Sequence, residues 1–131
     1  MGAWGTGSFE NDEAKDWVAG LDKIATEELT RILVRAADDP EYLEAPAAYV
    51  AVAAGEVVAA LGRAPAEGVP VAIAEWARKH SEALTPELKA LAIRTLERVR
   101  TNSEVKDLWM QADGLNDWIV AIRELQGRLG G

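Results

Sequence analysis

The sequence of 131 residues contains no cysteine and only one histidine, His80. A chain without cysteine forms no disulfide, no thiolate zinc site and no cysteine nucleophile. This composition fits a reducing compartment, and we expect the protein in the cytoplasm. A single histidine is also too few for a multi-histidine metal site. These absences exclude several common catalytic and metal centres, and we expect no cofactor and no metal ion.

Long apolar segments are scarce as well. The longest, APAAYVAVAAGEVVAALG at residues 45–62, is mostly alanine and is interrupted by Glu56. A membrane-spanning helix needs about 20 predominantly apolar residues, so this segment predicts a buried helix. The chain does not open with a basic segment followed by an apolar run, so we expect no signal peptide.

Positive charge is scarce relative to negative charge. The chain has 22 acidic and 14 basic residues, a net charge of −8 at pH 7. Residues 1–65 hold 12 of the acids and 5 of the bases, whereas residues 66–131 hold 10 and 9. A negative surface repels nucleic acid and anionic lipid, so we expect neither nucleic acid nor a membrane as a partner. The acidic first half favours a protein partner with a basic surface.

Most of the chain shows the pattern of amphipathic helices, in which apolar residues recur every three or four positions. Helix boundaries are predicted at about 11–21, 26–37, 46–61, 70–80 and 86–100, followed by a short helix between Ser103 and Gly114 and a last helix from Asn116 to about Leu129. The predicted N-terminal caps are Asn11 or Ser8, Thr26, Thr85, Ser103 and Asn116. We therefore predict one all-α domain over residues 1–131, a compact bundle of about six or seven helices with the alanine-rich helix at its centre.

The opening segment MGAWGTGSFEND, residues 1–12, departs from the helical pattern. Residues 5–8 before a helix start suggest a nest of backbone N–H groups for an anion. Glu10, however, replaces the third glycine of a dinucleotide motif, and no Walker lysine follows. We favour a glycine-rich N-terminal arm packed on the bundle, with Trp4 and Phe9 in the core and glycines that allow a close approach of the backbone.

The same segment resembles the start of the family catalogued as domain of unknown function 4259, whose members are small and mostly bacterial. The resemblance rests on MGAWG at residues 1–5, FEND at 9–12, DW at 16–17, EVVAALG at 56–62, NSEVKDLW at 102–109 and DWIVAIRELQGRL at 117–129. It implies a compact single domain and brings no known activity, cofactor or catalytic residue.

Two groups of carboxylates form the candidate interaction or ligand surface: Glu10, Asp12 and Asp16, and then Asp38, Asp39 and Glu41. Asp12 and Asp16 lie four residues apart on one helix face, a spacing at which two carboxylates can share a hard cation or divide acid and base work. We favour a solvated acidic face, because further oxygen ligands are not identifiable. The second group is predicted to lie in a loop.

The remaining polar and aromatic residues have structural interpretations. His80 lies near a helix end, where the helix dipole favours an imidazolium. Arg94 and Arg98, one turn apart, can form a small basic stripe, but we favour pairing with nearby acids or with the acidic first half. The helical tryptophans fall in or beside the apolar stripes and are predicted to lie in the core: Trp17, Trp76, Trp109 and Trp118.

The leading functional hypothesis is a non-enzymatic, acidic protein-interaction module, with an inhibitor or immunity role against a basic toxin as one version. The alternative is a small-ligand-binding domain or an enzyme with its site where the N-terminal arm meets the first helix. A deep pocket holding Asp12, Asp16 or His80 would favour the alternative, and a full core with a flat acidic face would favour the first. We expect a monomer or a weak homodimer.

Overall fold

A computed structural model describes residue 3 and residues 5–130 of the chain. Within them the chain forms seven α-helices and, after α1, a short 3-10 helix at Leu21–Lys23. The α-helices are α1 Asp12–Ala19, α2 Thr26–Asp38, α3 Ala45–Leu61, α4 Val71–Lys79, α5 Pro86–Thr101, α6 Glu104–Gln111 and α7 Leu115–Arg128. The only extended pairing among the described residues is an isolated bridge between Ala3 and Asn11. The all-α prediction is confirmed.

Helix α3 lies at the centre of the bundle, as predicted. Twelve of its 17 residues are buried, and it contacts all six of the other α-helices. A helix that is apolar on every side is typical of this position. Its small residues allow neighbours to approach closely, since a Cβ added to Gly55 would lie 3.3 Å from Leu96 of α5. No helix in the described part of the chain is long and apolar enough to cross a membrane.

Three predicted helix caps are confirmed. The side-chain oxygens of Asn11, Thr85 and Ser103 each accept a hydrogen bond from the backbone N–H three residues later, at 2.8, 3.0 and 3.2 Å. Such bonds satisfy N–H groups that the first turn of a helix leaves unpaired. The starts of α1, α5 and α6 therefore follow from local sequence.

Two predicted caps are wrong. Thr26 is the first residue of α2, because N–H groups of that turn already bond to the carbonyl of Ala25. Asn116 is the second residue of α7, which begins at Leu115 after Gly114. Leu115 packs against the hydrophobic core, and this contact favours a helix start ahead of the polar residue.

The residues before α1 contact the bundle in two ways. Ala3 and Phe9 pack against the hydrophobic core, and the Ser8 hydroxyl donates a 2.7 Å hydrogen bond to Glu56 of α3. Trp4, which the sequence placed in the core, lies outside the described residues, as do Met1, Gly2 and Gly131.

The four helical tryptophans contribute to the core to different degrees. Trp76 and Trp118 are buried, and Trp17 and Trp109 are partly buried and pack against the core from its edge. The indole N–H of Trp76 donates a 2.9 Å hydrogen bond to the carbonyl of Ile24. Buried indoles need such a partner, and this one joins α4 to the segment before α2.

Candidate functional site

The first acidic group lies at the start of α1. Glu10, Asp12 and Asp16 are exposed, and Asp12 belongs to the first turn, where the helix dipole favours negative charge. Asp12 and Asp16 are one turn apart and share a helix face. We call Glu10, Asp12 and Asp16 the α1 surface.

Within the α1 surface, Glu10 folds back over the glycine-rich segment. Its Oε1 accepts a 2.9 Å hydrogen bond from the backbone N–H of Gly7. A Cβ added to Gly7 would lie 2.6 Å from this oxygen, and one added to Gly5 would also collide with the carboxylate. The segment thus holds the chain's own carboxylate where the glycine pattern suggested an external anion, and the two glycines make room for it.

The second acidic group lies where α2 leads into α3. Asp38 is the last residue of α2, so its placement in a loop was wrong: the helix continues one residue further than predicted. It forms an ion pair with Arg94 of α5, and both side chains are more than half exposed. Asp39 Oδ1 accepts a 2.9 Å hydrogen bond from the Glu41 N–H. This group is therefore partly neutralised and locally ordered.

Arg98 of α5 binds backbone carbonyls of the connection between α2 and α3, residues 39–44, and of the end of α2. Its Nη1 donates to the carbonyls of Ala36 and Asp39 at 3.2 and 2.7 Å, and its Nη2 donates to that of Glu41 at 2.6 Å. Its Nε donates to the carbonyl of Asn102 at 2.9 Å. A planar guanidinium carries five donors and can bind several carbonyls at once. Arg98 therefore holds the connection against α5. The predicted pairing with an acid of the first half is confirmed for Arg94, which pairs with Asp38, whereas Arg98 binds backbone carbonyls of that region.

The most buried charged side chain, Glu56 of α3, was not among the predicted site residues. It is 2% exposed, and its two oxygens accept hydrogen bonds of 2.9 and 3.0 Å from Arg128 of α7. Arg128 also donates to Glu124 at 2.6 Å and to the Ala64 carbonyl at 3.1 Å. The hydrogen bond with Glu56, followed by the one with Glu124, raises the pKa of Arg128 despite its burial. With the bond from Ser8, this cluster joins the N-terminal arm to two helices.

One member of this cluster, Glu56, stands out in the sequence. A glutamate in the middle of an apolar helix must be paired or hydrogen-bonded, because an isolated buried charge is very costly. In the sequence, Glu56 is visible only as an interruption of the apolar segment. Its partner Arg128 lies 72 residues away, and no local pattern connects the two.

The side chain of His80 packs against Trp76 at the end of α4. It follows the last residue of α4 and its ring stacks on Trp76, with ring centroids 4.0 Å apart. Its Nδ1 lies 2.9 Å from the Trp76 carbonyl. The predicted position of His80 at a helix end is confirmed.

The junction of the arm with the first helix holds a cavity of about 10 Å³, lined by residues 5–8, Asn11, Tyr49, Val52, Val105, Trp109, Trp118 and Ile122. This volume suits about one water molecule, whereas small-molecule sites measure about 300–1,000 Å³. Asp12, Asp16 and His80 do not line this cavity. His80 instead lies beside a separate, open surface hollow of about 350 Å³, together with Thr26 and other residues of 79–83. Among the described residues, no group of three or more histidine or acidic side chains is arranged to hold a metal ion.

Comparison with known proteins identifies the family. The family model described as "Domain of unknown function (DUF4259)" matches residues 2–120, so the chain belongs to this family and the resemblance in its opening segment is confirmed. No curated protein and no solved structure matches the chain.

Proposed function

We propose that this protein is a non-enzymatic interaction module that binds a basic surface of another protein through the α1 surface. The observation that supports the proposal is the contrast among the acids of the first half. Arginines of α5 and α7 pair with Asp38, which is still half exposed, and with Glu56. Asp12 and Asp16 are exposed, and Glu10 is exposed with one oxygen bonded to the Gly7 N–H.

The local charge of the α1 surface suits this role. Residues 10–16 carry four acids and one lysine, and they lie at the N-terminal end of α1. Opposite charges across an interface mainly raise the association rate, and salt screens that gain. A basic toxin or enzyme is one partner of suitable chemistry, which would give the protein an inhibitor or immunity role. A cysteine-free chain suits the reducing cytoplasm, where we place this interaction.

The test is the kinetics of binding to a protein recovered by pull-down with the tagged chain. We expect association to slow as salt rises from about 0.05 to 0.5 M, with less change in dissociation. The double variant Asp12→Lys with Asp16→Lys reverses both charges and should slow association at low salt by about tenfold or more.

The matched control is Glu75→Lys with Glu82→Lys, which changes the net charge equally at two exposed positions on or after α4. It should slow association much less than the α1 double variant. A partner whose association ignores salt and the α1 reversal would refute the proposal and would point to an apolar contact surface.

A further inference from the structure

An open surface hollow of about 590 Å³ is lined by the end of α3, the segment after it, and α4 with the residues that follow. We call it the α3–α4 hollow. Its polar members are Arg63, Arg78 and Ser81, and its other lining residues are alanine, leucine and proline. The chain has a net charge of −8, yet no acidic residue of the described part lines this hollow. The hollow therefore combines an apolar lining with positive charge, and its volume lies in the range of about 300–1,000 Å³ typical of small-molecule sites.

The guanidinium groups of Arg63 and Arg78 are available to a ligand. Both residues are exposed, and neither side chain forms an ion pair or a hydrogen bond with any residue that the structure describes. Arg94 and Arg128, in contrast, each bind a carboxylate of the first half. A guanidinium presents a planar set of N–H donors that matches the oxygens of a carboxylate or phosphate. The charge of the lining is thus complementary to an anion.

The backbone of Arg63 has a left-handed conformation, with φ of 61°. Its N–H donates to the carbonyl of Ala60 at 3.0 Å, and the N–H of Ala64 donates to that of Ala59 at 2.8 Å. In this type of helix end the left-handed residue is usually glycine, because a Cβ is unfavourable there. The glycine of this end, Gly62, lies one residue earlier and has φ of −83°. A side chain at a position that favours glycine indicates a role for the arginine other than ending α3.

We propose that the α3–α4 hollow binds a small amphipathic organic anion, whose charged group contacts Arg63 and Arg78 and whose apolar part covers the alanine, leucine and proline side chains. The two arginines select the negative charge, and burial of apolar surface adds to the affinity. The hydroxyl of Ser81 supplies one further hydrogen-bond donor. The hollow shares no residue with the α1 surface, so this site is independent of the proposed binding of a basic partner.

The first experiment titrates the isotope-labelled protein with octanoate and follows the backbone amide signals by NMR. We expect saturable shifts concentrated at residues 60–65 and 74–81. Octanol has the same chain without the charge, and acetate has the charge without the chain, so each should bind at least about tenfold more weakly than octanoate. Absence of saturable shifts at these residues, or binding of octanol or acetate as tight as that of octanoate, would overturn the proposal.

The second experiment separates binding from stability at the helix end. Arg63→Gly should raise the melting temperature, because glycine suits the left-handed position, and should weaken octanoate binding by about tenfold. Arg78→Gln should weaken binding similarly, and Arg123→Gln, at an exposed arginine of α7 outside the hollow, should leave it unchanged. A purely structural role for Arg63 would not alter affinity. Unchanged affinity in Arg63→Gly and Arg78→Gln, or an equal loss in Arg123→Gln, would contradict the proposal.

Discussion

The two acidic segments of the first half, residues 10–16 and 38–44, have similar composition and different surroundings. In the second, Arg94 pairs with Asp38 and Arg98 binds carbonyls of the connection. In the first, three carboxylates are exposed on the α1 surface. The cause lies in the neighbouring helices: α2 packs along α5, which carries the arginines, whereas α1 packs chiefly against α3, which has no lysine or arginine. The neighbouring helix therefore decides whether an acidic segment is tied to the fold by arginines, although Asp39, Glu41 and Glu44 of the second segment are exposed as well.

Glu56 extends the comparison to a fully buried carboxylate. Arg128 binds both of its oxygens, and Ser8 donates to one of them. Acids of the first half therefore range from exposed through partly neutralised to buried and paired.

The largest effect is expected from Arg128→Ala. The substitution leaves the Glu56 carboxylate buried without its cation and should lower the free energy of unfolding by about 3–5 kcal/mol. Urea denaturation measures the loss. Arg123→Ala on the same helix removes an exposed arginine and should change stability by less than about 0.5 kcal/mol. Equal effects of the two substitutions would show that the buried ion pair contributes nothing specific.

Arg98→Ala should have the next largest effect. It removes the bonds to the carbonyls of Ala36, Asp39 and Glu41, and we expect a loss of about 2 kcal/mol, because hydrogen bonds to charged groups contribute most. Hydrogen exchange should accelerate at residues 39–44 and stay unchanged at residues 10–16. Arg94→Ala, which breaks only an exposed ion pair, is the control and should cost less than about 1 kcal/mol. Uniform acceleration in both segments would contradict a local role.

Local sequence was sufficient to predict most of the helices, and tertiary contacts explain the rest. Asn11, Thr85 and Ser103 cap their helices through bonds that span three residues, a distance that a sequence pattern contains. Leu115 begins α7 ahead of Asn116 because it packs on the core, and that contact depends on distant residues.

The environment of the candidate site was harder to predict for the same reason. Acidic segments are visible in the sequence, but the bases that meet them are not adjacent: Arg94 lies 56 residues from Asp38, and Arg128 lies 72 from Glu56. The fold of Glu10 over Gly5 and Gly7 is a local contact. A glycine-rich segment followed closely by a glutamate is a signal that could have identified it.

A smaller effect is expected from reversing single charges in the two segments. Asp38→Lys places a lysine beside Arg94 and should destabilise the fold by up to about 1 kcal/mol, since both side chains are largely exposed. Asp12→Lys loses a favourable contact with the helix dipole and should cost about 0.3–1 kcal/mol at low salt. A second substitution distinguishes the two variants. Adding Arg94→Ala should reduce the loss of stability caused by Asp38→Lys and leave the loss caused by Asp12→Lys unchanged. Relief of both by Arg94→Ala would show that the segments are not separate.

The smallest effect concerns Tyr42 in the connection between α2 and α3. Its hydroxyl donates a 2.6 Å hydrogen bond to Asp107 of α6. This bond, with the nearby negative charge, raises the pKa of Tyr42 to about 12. Because the folded pKa lies above the ordinary value of about 10, the contribution to stability is complete below about pH 10 and disappears as the pH rises toward 12. Asp107→Asn should move the tyrosinate absorbance transition of Tyr42 to lower pH, and Tyr42→Phe identifies that transition by removing it. Asp12→Asn should leave it in place, because the α1 surface has no part in holding the connection. A transition that shifts equally in the Asp12 and Asp107 variants would mean that long-range charge, and not the hydrogen bond, sets the pKa of Tyr42.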